Sequence, residues 1–150
     1  MVVAALSCGT FVSGCKPAPV AFPAEPSGQL EIKYPLDETL FPPEIVAPTF
    51  VWSDATEGVE GWKVVLRFAG EDTLLRFDAS EPRWRPSEAD WAEIKRKSTE
   101  RPAEVAIVGV HGRDEVTSAA MVRIRTSTDP VGDSIFYREV PLPFLDVVRD

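Results

Sequence analysis

Histidine and cysteine are scarce in this chain, and their scarcity excludes several kinds of catalytic site. The 150 residues include one histidine and two cysteines. A hydrolase triad needs a base, usually histidine, beside a serine or cysteine nucleophile, and a zinc site needs several Cys or His ligands. Because His111 falls in a predicted turn and both cysteines lie near the amino terminus, we expect no triad, no metal site and no cofactor.

Other site patterns are also missing from the sequence. A glycosidase needs two carboxyl groups that face each other across a cleft. The adjacent acidic pairs all fall in predicted turns, where solvated carboxylates are expected: Asp37-Glu38, Glu71-Asp72 and Asp114-Glu115. The chain contains no Asp-x-Asp-x-Asp-Gly calcium loop and no glycine-rich phosphate loop. The sequence therefore predicts a protein that is not an enzyme.

Basic residues are outnumbered by acidic ones, which limits the partners of the chain. Sixteen Lys and Arg stand against 24 Asp and Glu, giving a net charge of −8. Nucleic-acid binding needs clustered positive charge, so we expect no nucleic-acid partner.

The length suits one domain with a substantial core. The 14 prolines are about twice the ordinary usage and disfavour long helices.

The amino terminus resembles a bacterial lipoprotein signal peptide. Residues 1–12 (MVVAALSCGTFV) form an uncharged apolar run that is too short to span a bilayer, and the sequence VSGC follows at residues 12–15. This sequence resembles a lipobox, which implies that residues 1–14 are removed and that Cys15 carries the lipid. Lys16, rather than Asp, after Cys15 favours the outer membrane. We therefore expect a lipoprotein of the bacterial cell envelope, in its outer membrane.

Two alternatives stay open for this amino-terminal stretch. No Lys or Arg precedes the apolar run, although a signal peptide normally begins with a basic region. The run is therefore also compatible with a buried strand or helix. Cys8 and Cys15 make an even cysteine count, which in an exported chain also permits a disulfide.

Alternating apolar residues predict a β-rich domain over residues 30–128. Strands are expected at residues 30–34, 49–53, 62–68, 74–78, 104–110 and 118–126, and a loop or irregular edge at 35–48. Such short strands between turns are typical of an immunoglobulin or fibronectin type III β-sandwich. The proline-rich residues 15–29 predict a tether. Residues 129–150 are expected to form an extended carboxy-terminal segment.

One short helix is expected after Pro86. Ser87 is a candidate N-cap, and Asp90 three residues later approximates a capping box. Trp91 and Ile94 would then share one face of the helix and pack on the sandwich.

The four tryptophans provide the only candidate ligand-binding residue. Trp62 falls on the apolar face of its strand, and Trp52 and Trp91 occupy core positions. Trp84 lies between two arginines and is expected to expose its ring. Sugar-binding sandwiches use exposed aromatic rings as platforms, so Trp84 is the candidate for binding a glycan.

Four runs of residues resemble a known module, the amino-terminal immunoglobulin-like domain of large bacterial envelope proteins. The runs are YPLDETLFPPEIVAPTFVW (34–52), GWKVVLRF (61–68), RWRPSEADWAEIK (83–95) and TSTDPVGDSIFYREVPLPF (126–144). In those proteins the domain precedes Cys-x-x-Cys-His haem-attachment motifs and a TolB-like β-propeller. The chain has no Cys-x-x-Cys-His motif, so the haem function does not carry over.

Three functions are consistent with these patterns. The first is a non-catalytic, lipid-anchored envelope module that acts as a protein-interaction or spacer domain. The second is a carbohydrate-binding module that uses Trp84. The third, implied only by the resemblance, is an accessory domain or fragment of a multihaem, propeller-containing electron-transfer protein.

Overall fold

A computed structural model describes residues 19–112 and 114–130 of the protein. These residues form two stacked β-sheets and one helix. The three-stranded sheet consists, in spatial order, of β1 (Leu30–Tyr34), β3 (Phe50–Asp54) and β6 (Arg83–Trp84). The five-stranded sheet consists of β2 (Thr39–Phe41), β8 (Glu115–Thr126), β7 (Ala103–His111), β4 (Gly61–Phe68) and β5 (Leu75–Ala79). The helix α1 spans Glu88–Lys97.

This architecture confirms the prediction of a mostly β sandwich with one short helix. Adjacent strands pair antiparallel, except that β2 pairs parallel with β8. The predicted signal peptide at residues 1–14, the predicted lipidation site Cys15 and residues 131–150 lie outside the described residues.

Strand β4 shows how the apolar pattern builds the core. Val64, Leu66 and Phe68 are buried between the sheets, and Trp62 packs against the same core. These alternating residues were expected to form the only buried face of the strand. The opposite face is covered as well, because Val65 is fully buried in a second apolar cluster.

Strand β7 is central and buried on both faces, as its continuous apolar sequence predicted. It pairs with β4 along one edge and with β8 along the other. Val105 and Ile107 face the core between the sheets, whereas Ala106, Val108 and Val110 belong to the second cluster on the outer face. The outer face of the five-stranded sheet is therefore apolar at its centre.

The amino-terminal segment of residues 19–29 covers that outer face. Val20 is only 4% exposed, and Phe22 packs against the same cluster. Ser27 and Ala119 exchange two backbone hydrogen bonds of 2.9 Å. These residues were expected to form a free tether, but they lie against the sheet because the apolar centre of its outer face would otherwise be exposed to water.

The proline-rich residues 35–48, predicted as a loop or irregular edge, contain the short strand β2 at the edge of the five-stranded sheet. Phe41, at the end of β2, is 2% exposed and lies in the main core. Pro42 and Pro43 follow immediately and end the strand, since neither has a backbone N–H to donate. The expected irregular loop therefore begins only after β2 has paired with β8.

The helix begins where the sequence predicted. The Ser87 side chain accepts a hydrogen bond of 3.1 Å from the Asp90 backbone N–H, as an N-cap does. Trp91 and Ile94 are buried and join α1 to the main core. The carboxy-terminal end is held by Ser98, which is fully buried and shares a hydrogen bond with Thr126.

Replacing Ile94 tests how strongly the helix depends on the core. Because Ile94 is fully buried, we expect Ile94→Ala to lower the free energy of unfolding by roughly 2–5 kcal/mol. Arg96→Ala, at an exposed position of the same helix, is the matched control and should change it by less than about 0.5 kcal/mol. Urea unfolding would measure both changes, and equal effects would contradict this packing of the helix.

Candidate functional site

Trp84, the predicted glycan-binding residue, is not the exposed platform that the sequence suggested. Its ring is half-buried and packs against the main core. The ring centroid lies 5.3 Å from that of Phe50 and 4.8 Å from that of Phe77. The prediction of a core position is confirmed for Trp52 and Trp91, which are 2% and 3% exposed. The prediction of an exposed Trp84 ring was wrong. It was based on the two neighbouring arginines, whereas contacts with Phe50 and Phe77, which are distant in the sequence, partly bury the ring.

A shallow depression nevertheless lies beside Trp84. Its volume is about 450 Å³, and it is open to solvent. Its lining is mainly polar and consists of Thr49, Asp78, Ala79, Ser80, Glu81, Arg83, Trp84 and Arg85. A ligand in this depression would find hydrogen-bonding groups. It would contact only the part of the Trp84 ring that Phe50 and Phe77 leave uncovered.

A larger groove of about 550 Å³, which we call the helix groove, runs between residues 44–47 and α1. It is lined by Glu44, Ile45, Val46, Ala47, Arg85, Pro86, Ser87, Glu88, Trp91, Ala92 and Lys95. Val46 is 72% exposed, an unusual state for a branched apolar side chain beside other apolar groups. The helix groove thus combines an apolar floor with charged groups of both signs at its rim.

Hydrogen bonds from the helix fix one wall of the helix groove. The Trp91 indole Nε1 donates to the carbonyl oxygen of Ile45 at 3.0 Å. Lys95 Nζ donates to the carbonyl oxygen of Pro43 at 2.6 Å. These bonds hold the irregular loop against α1, so the shape of the helix groove is set before any partner arrives.

The acidic pair at residues 37 and 38 forms an ion-pair cluster with Arg123 rather than a catalytic pair. Arg123 Nη2 lies 2.8 Å from an Asp37 oxygen and 2.9 Å from a Glu38 oxygen. The hydrogen bond from the Arg123 guanidinium and a second from its backbone N–H hold the pKa of Asp37 below its usual range. The cluster ties the loop before β2 to the outer face of β8.

One carboxylate of each of the other two predicted pairs also lies beside a cation. Glu71 lies 2.6 Å from Lys97 Nζ, and Asp114 lies 3.6 Å from Lys63 Nζ. Each of these pairs joins a turn to a neighbouring strand or helix. Among the described residues, none of the three predicted acidic pairs is brought opposite another across a cleft.

His111 lies at the exposed end of β7. Its Nδ1 is 3.0 Å from the carbonyl oxygen of Gly58 and 3.3 Å from Glu60 Oε1. These contacts fasten the loop that precedes β4 to the end of β7. The sequence placed His111 in the turn itself, but it is the last residue of the strand.

A polar cluster around Asp54 joins the two sheets, and the sequence analysis missed it. Asp54 Oδ2 accepts hydrogen bonds from Ser118 Oγ at 2.6 Å and from the Trp62 indole Nε1 at 3.1 Å. Its Oδ1 accepts the backbone N–H of Thr56 at 3.0 Å. A Cβ at Gly109 would come within 2.8 Å of Asp54 Oδ2 and closer still to Ser118 Oγ. Close packing around the carboxylate therefore requires glycine there.

The environment of Asp54 stabilises its ionised form. Burial raises the pKa of this carboxyl, but hydrogen bonds from Ser118, Thr56 and Trp62 outweigh burial and hold the pKa below its usual range. Asp54, Trp62 and Ser118 belong to three different strands, so no local sequence motif predicts the cluster. The arrangement is that of a structural link between the sheets.

The part of the chain that the structure describes contains neither a candidate metal site nor a helix that could span a membrane. Over residues 19–112 and 114–130, no group of three or more His, Cys, Asp or Glu is placed to hold a metal ion. In the same residues no helix has the length and apolar character needed to cross a membrane. No protein-family model, curated protein or solved structure matches the chain.

Removing the Asp54 carboxylate should weaken the link between the sheets. We expect Asp54→Ala to lower the free energy of unfolding by about 2–4 kcal/mol, because hydrogen bonds to a charged acceptor are lost and their donors are left unpaired. Asp72→Ala, in an exposed turn, is the matched control. Urea unfolding of both variants at neutral pH checks the difference, and equal stabilities would refute the structural role of Asp54.

The same cluster predicts a pH dependence with a defined sign. Because folding lowers the pKa of Asp54, the ionised carboxylate stabilises the fold above its unfolded pKa, and this contribution is lost as the pH falls through the folded pKa. The stability difference between wild type and Asp54→Asn should therefore be largest above about pH 5 and shrink below about pH 4. A difference that grows with acidification would contradict the assigned direction.

Proposed function

We propose that this protein is a non-catalytic, lipid-anchored module of the bacterial cell envelope whose helix groove binds an extended segment of a protein partner. The helix groove is the observation that carries the proposal. It is the largest of the surface cavities described above, its floor is apolar, and Val46 on its wall is 72% exposed. Exposed apolar side chains grouped in a concave surface are typical of binding sites.

Rigidity of the helix groove favours a binding role over accidental exposure. The bonds from Trp91 and Lys95 to the facing loop set the separation of the walls. A site that is already formed avoids part of the entropy cost of ordering on association. The rim contains Arg85 and Glu88, so a partner segment with an apolar side chain flanked by charged groups fits best.

The strand order supports an immunoglobulin-like assignment. The order β8-β7-β4 in the larger sheet, with β1-β3-β6 opposite, corresponds to the G-F-C and A-B-E orders of such sandwiches. This family commonly serves in recognition or as a spacer, which is the role proposed here. The likeness supports the function only by analogy.

A carbohydrate-binding role is the weaker candidate. The depression beside Trp84 has polar walls that suit hydroxyl groups. A sugar stacks on a free aromatic face, however, and the Trp84 ring already packs against Phe50 and Phe77. The third candidate, an accessory domain of a haem-containing electron-transfer assembly, has only the sequence resemblance in its favour.

The helix groove can be tested by crosslinking in intact cells. A photoreactive amino acid at position 46 should crosslink one envelope protein, which mass spectrometry identifies and which is then purified for titration. We expect Ala92→Glu to weaken that binding by at least roughly tenfold, equivalent to 1.4 kcal/mol. The change places a charge among the apolar side chains that line the helix groove. Ala55→Glu makes the same change at an exposed loop residue outside the helix groove and should bind as wild type.

Two outcomes would overturn the partner proposal. One is binding that Ala92→Glu leaves unchanged. The other is specific retention on a glycan array that Trp84→Ala abolishes, which would favour the carbohydrate-binding role instead.

The proposed anchor has its own test. Mass spectrometry of the protein from a bacterial membrane fraction should find a mature chain that begins at Cys15 and carries acyl groups. Cys15→Ser should lose both the acyl groups and firm membrane association. A chain that retains an unmodified Met1 would refute lipidation.

A further inference from the structure

The amino-terminal segment contacts the sandwich from Val20 onward, only a few residues after Cys15. A free tether over residues 15–29 would make no such contact. Val20 is buried in the outer-face cluster with Val65 and Val108. Arg76 Nε donates to the carbonyl oxygen of Val20 at 2.8 Å. The guanidinium carbon of Arg67 lies 4.1 Å from the centre of the Phe22 ring, a cation–π distance. We call residues 19–22 the strap.

The strap limits how far the domain can move from a lipid on Cys15. Four residues lie between Cys15 and Val20, so five residue-to-residue steps of at most about 3.3–3.6 Å each join them. The first buried residue is therefore within about 18 Å of the anchored cysteine. A domain about 20–30 Å thick, held that closely on one face, lies against the membrane rather than above it on a flexible stalk.

On this basis we infer that the strap orients the domain, with the outer face of the five-stranded sheet beside the bilayer and the outer face of the three-stranded sheet turned away from it. The inference rests on the proposed lipidation of Cys15. It replaces a freely rotating spacer with a module that presents one fixed side to its partners.

Charged side chains of both signs surround the apolar centre of the outer face of the five-stranded sheet. Five cations lie on or at the rim of the outer face of the five-stranded sheet: Lys63, Arg67, Arg76, Arg123 and Arg125. They are interleaved with five carboxylates, from Asp37, Glu38, Asp78, Glu104 and Asp114. This face is thus close to neutral, whereas the chain as a whole carries −8. The outer face of the three-stranded sheet also pairs opposite charges, Lys33 with Glu31 and Arg83 with Glu81, so charge does not select between the faces and the short connection to Cys15 carries the inference.

The strap is also more than a passive cover for the sheet. Its two arginine contacts reach the backbone at Val20 and the ring of Phe22, so the strap is held by polar as well as apolar contacts. Releasing these contacts would lengthen the free chain between Cys15 and the sandwich, so either face of the domain could then meet the membrane. Orientation is therefore the property to measure.

Fluorescence quenching from the bilayer measures orientation directly. Lipidated protein is reconstituted in vesicles of phosphatidylethanolamine and phosphatidylglycerol that contain a headgroup-labelled quencher lipid. One fluorophore is attached at Asp78→Cys, on the outer face of β5, or at Glu31→Cys, on the outer face of β1. The two changes are matched, since each replaces an exposed carboxylate that pairs with a lysine. In the lipidated chain the sulfur of Cys15 is blocked, and Cys8 has been removed with the signal peptide.

We expect at least about twofold stronger quenching at position 78 than at position 31, because only the former lies on the face held within about 18 Å of the anchor. Val20→Asp, which places a charge in the apolar cluster, should abolish this difference. Phe22→Ala should reduce it and serves as the milder variant if circular dichroism shows that Val20→Asp has unfolded. Equal quenching at the two positions, or a difference that survives both strap variants, would overturn the inference.

Mass spectrometry of the same samples separates the two proposals. Lipidated protein with equal quenching at the two positions contradicts the orientation and leaves the anchor intact. A chain without lipid on Cys15 overturns the anchor and, with it, the orientation.

Discussion

Burial of β7 and β4 on both faces is the constraint on which the rest of the structure depends. Their inner faces are covered by the three-stranded sheet and α1, as in any sandwich. Their outer faces carry Val65, Ala106 and Val108, which also have to be removed from water. The second cover comes from the amino-terminal segment, and this requirement brings residues 19–22 onto the sheet. The position of the proposed anchor relative to the domain follows from that contact.

Local sequence patterns predicted most of the regular structure. The alternation in β4, the continuous apolar run of β7 and the Ser87 cap of α1 each reflect contacts within a few residues, and each was confirmed. The strap was missed because its proline-rich composition resembles a linker, whereas its position is decided by an apolar surface more than forty residues away along the chain. The short strand β2 lies in a stretch predicted only as a loop or irregular edge, and it forms because the core holds Phe41 despite the prolines that follow it.

Functional features were harder to predict than the fold. The helix groove is made by an irregular loop and a helix that meet only after folding, so no motif marks it. The Asp54 cluster unites residues from three strands of two sheets. Trp84 was chosen for its charged neighbours, yet its ring lies against Phe50 and Phe77. In each instance the deciding contacts join residues far apart in the sequence.

The contact between the strap and the outer face is tested most directly by nuclear Overhauser effects in solution. We expect effects between the methyl groups of Val20 and those of Val65, Val108 or Val110, because these side chains share one buried cluster. If these effects are absent and residues 19–22 have chemical shifts typical of an unfolded chain, the strap does not cover the outer face of the five-stranded sheet.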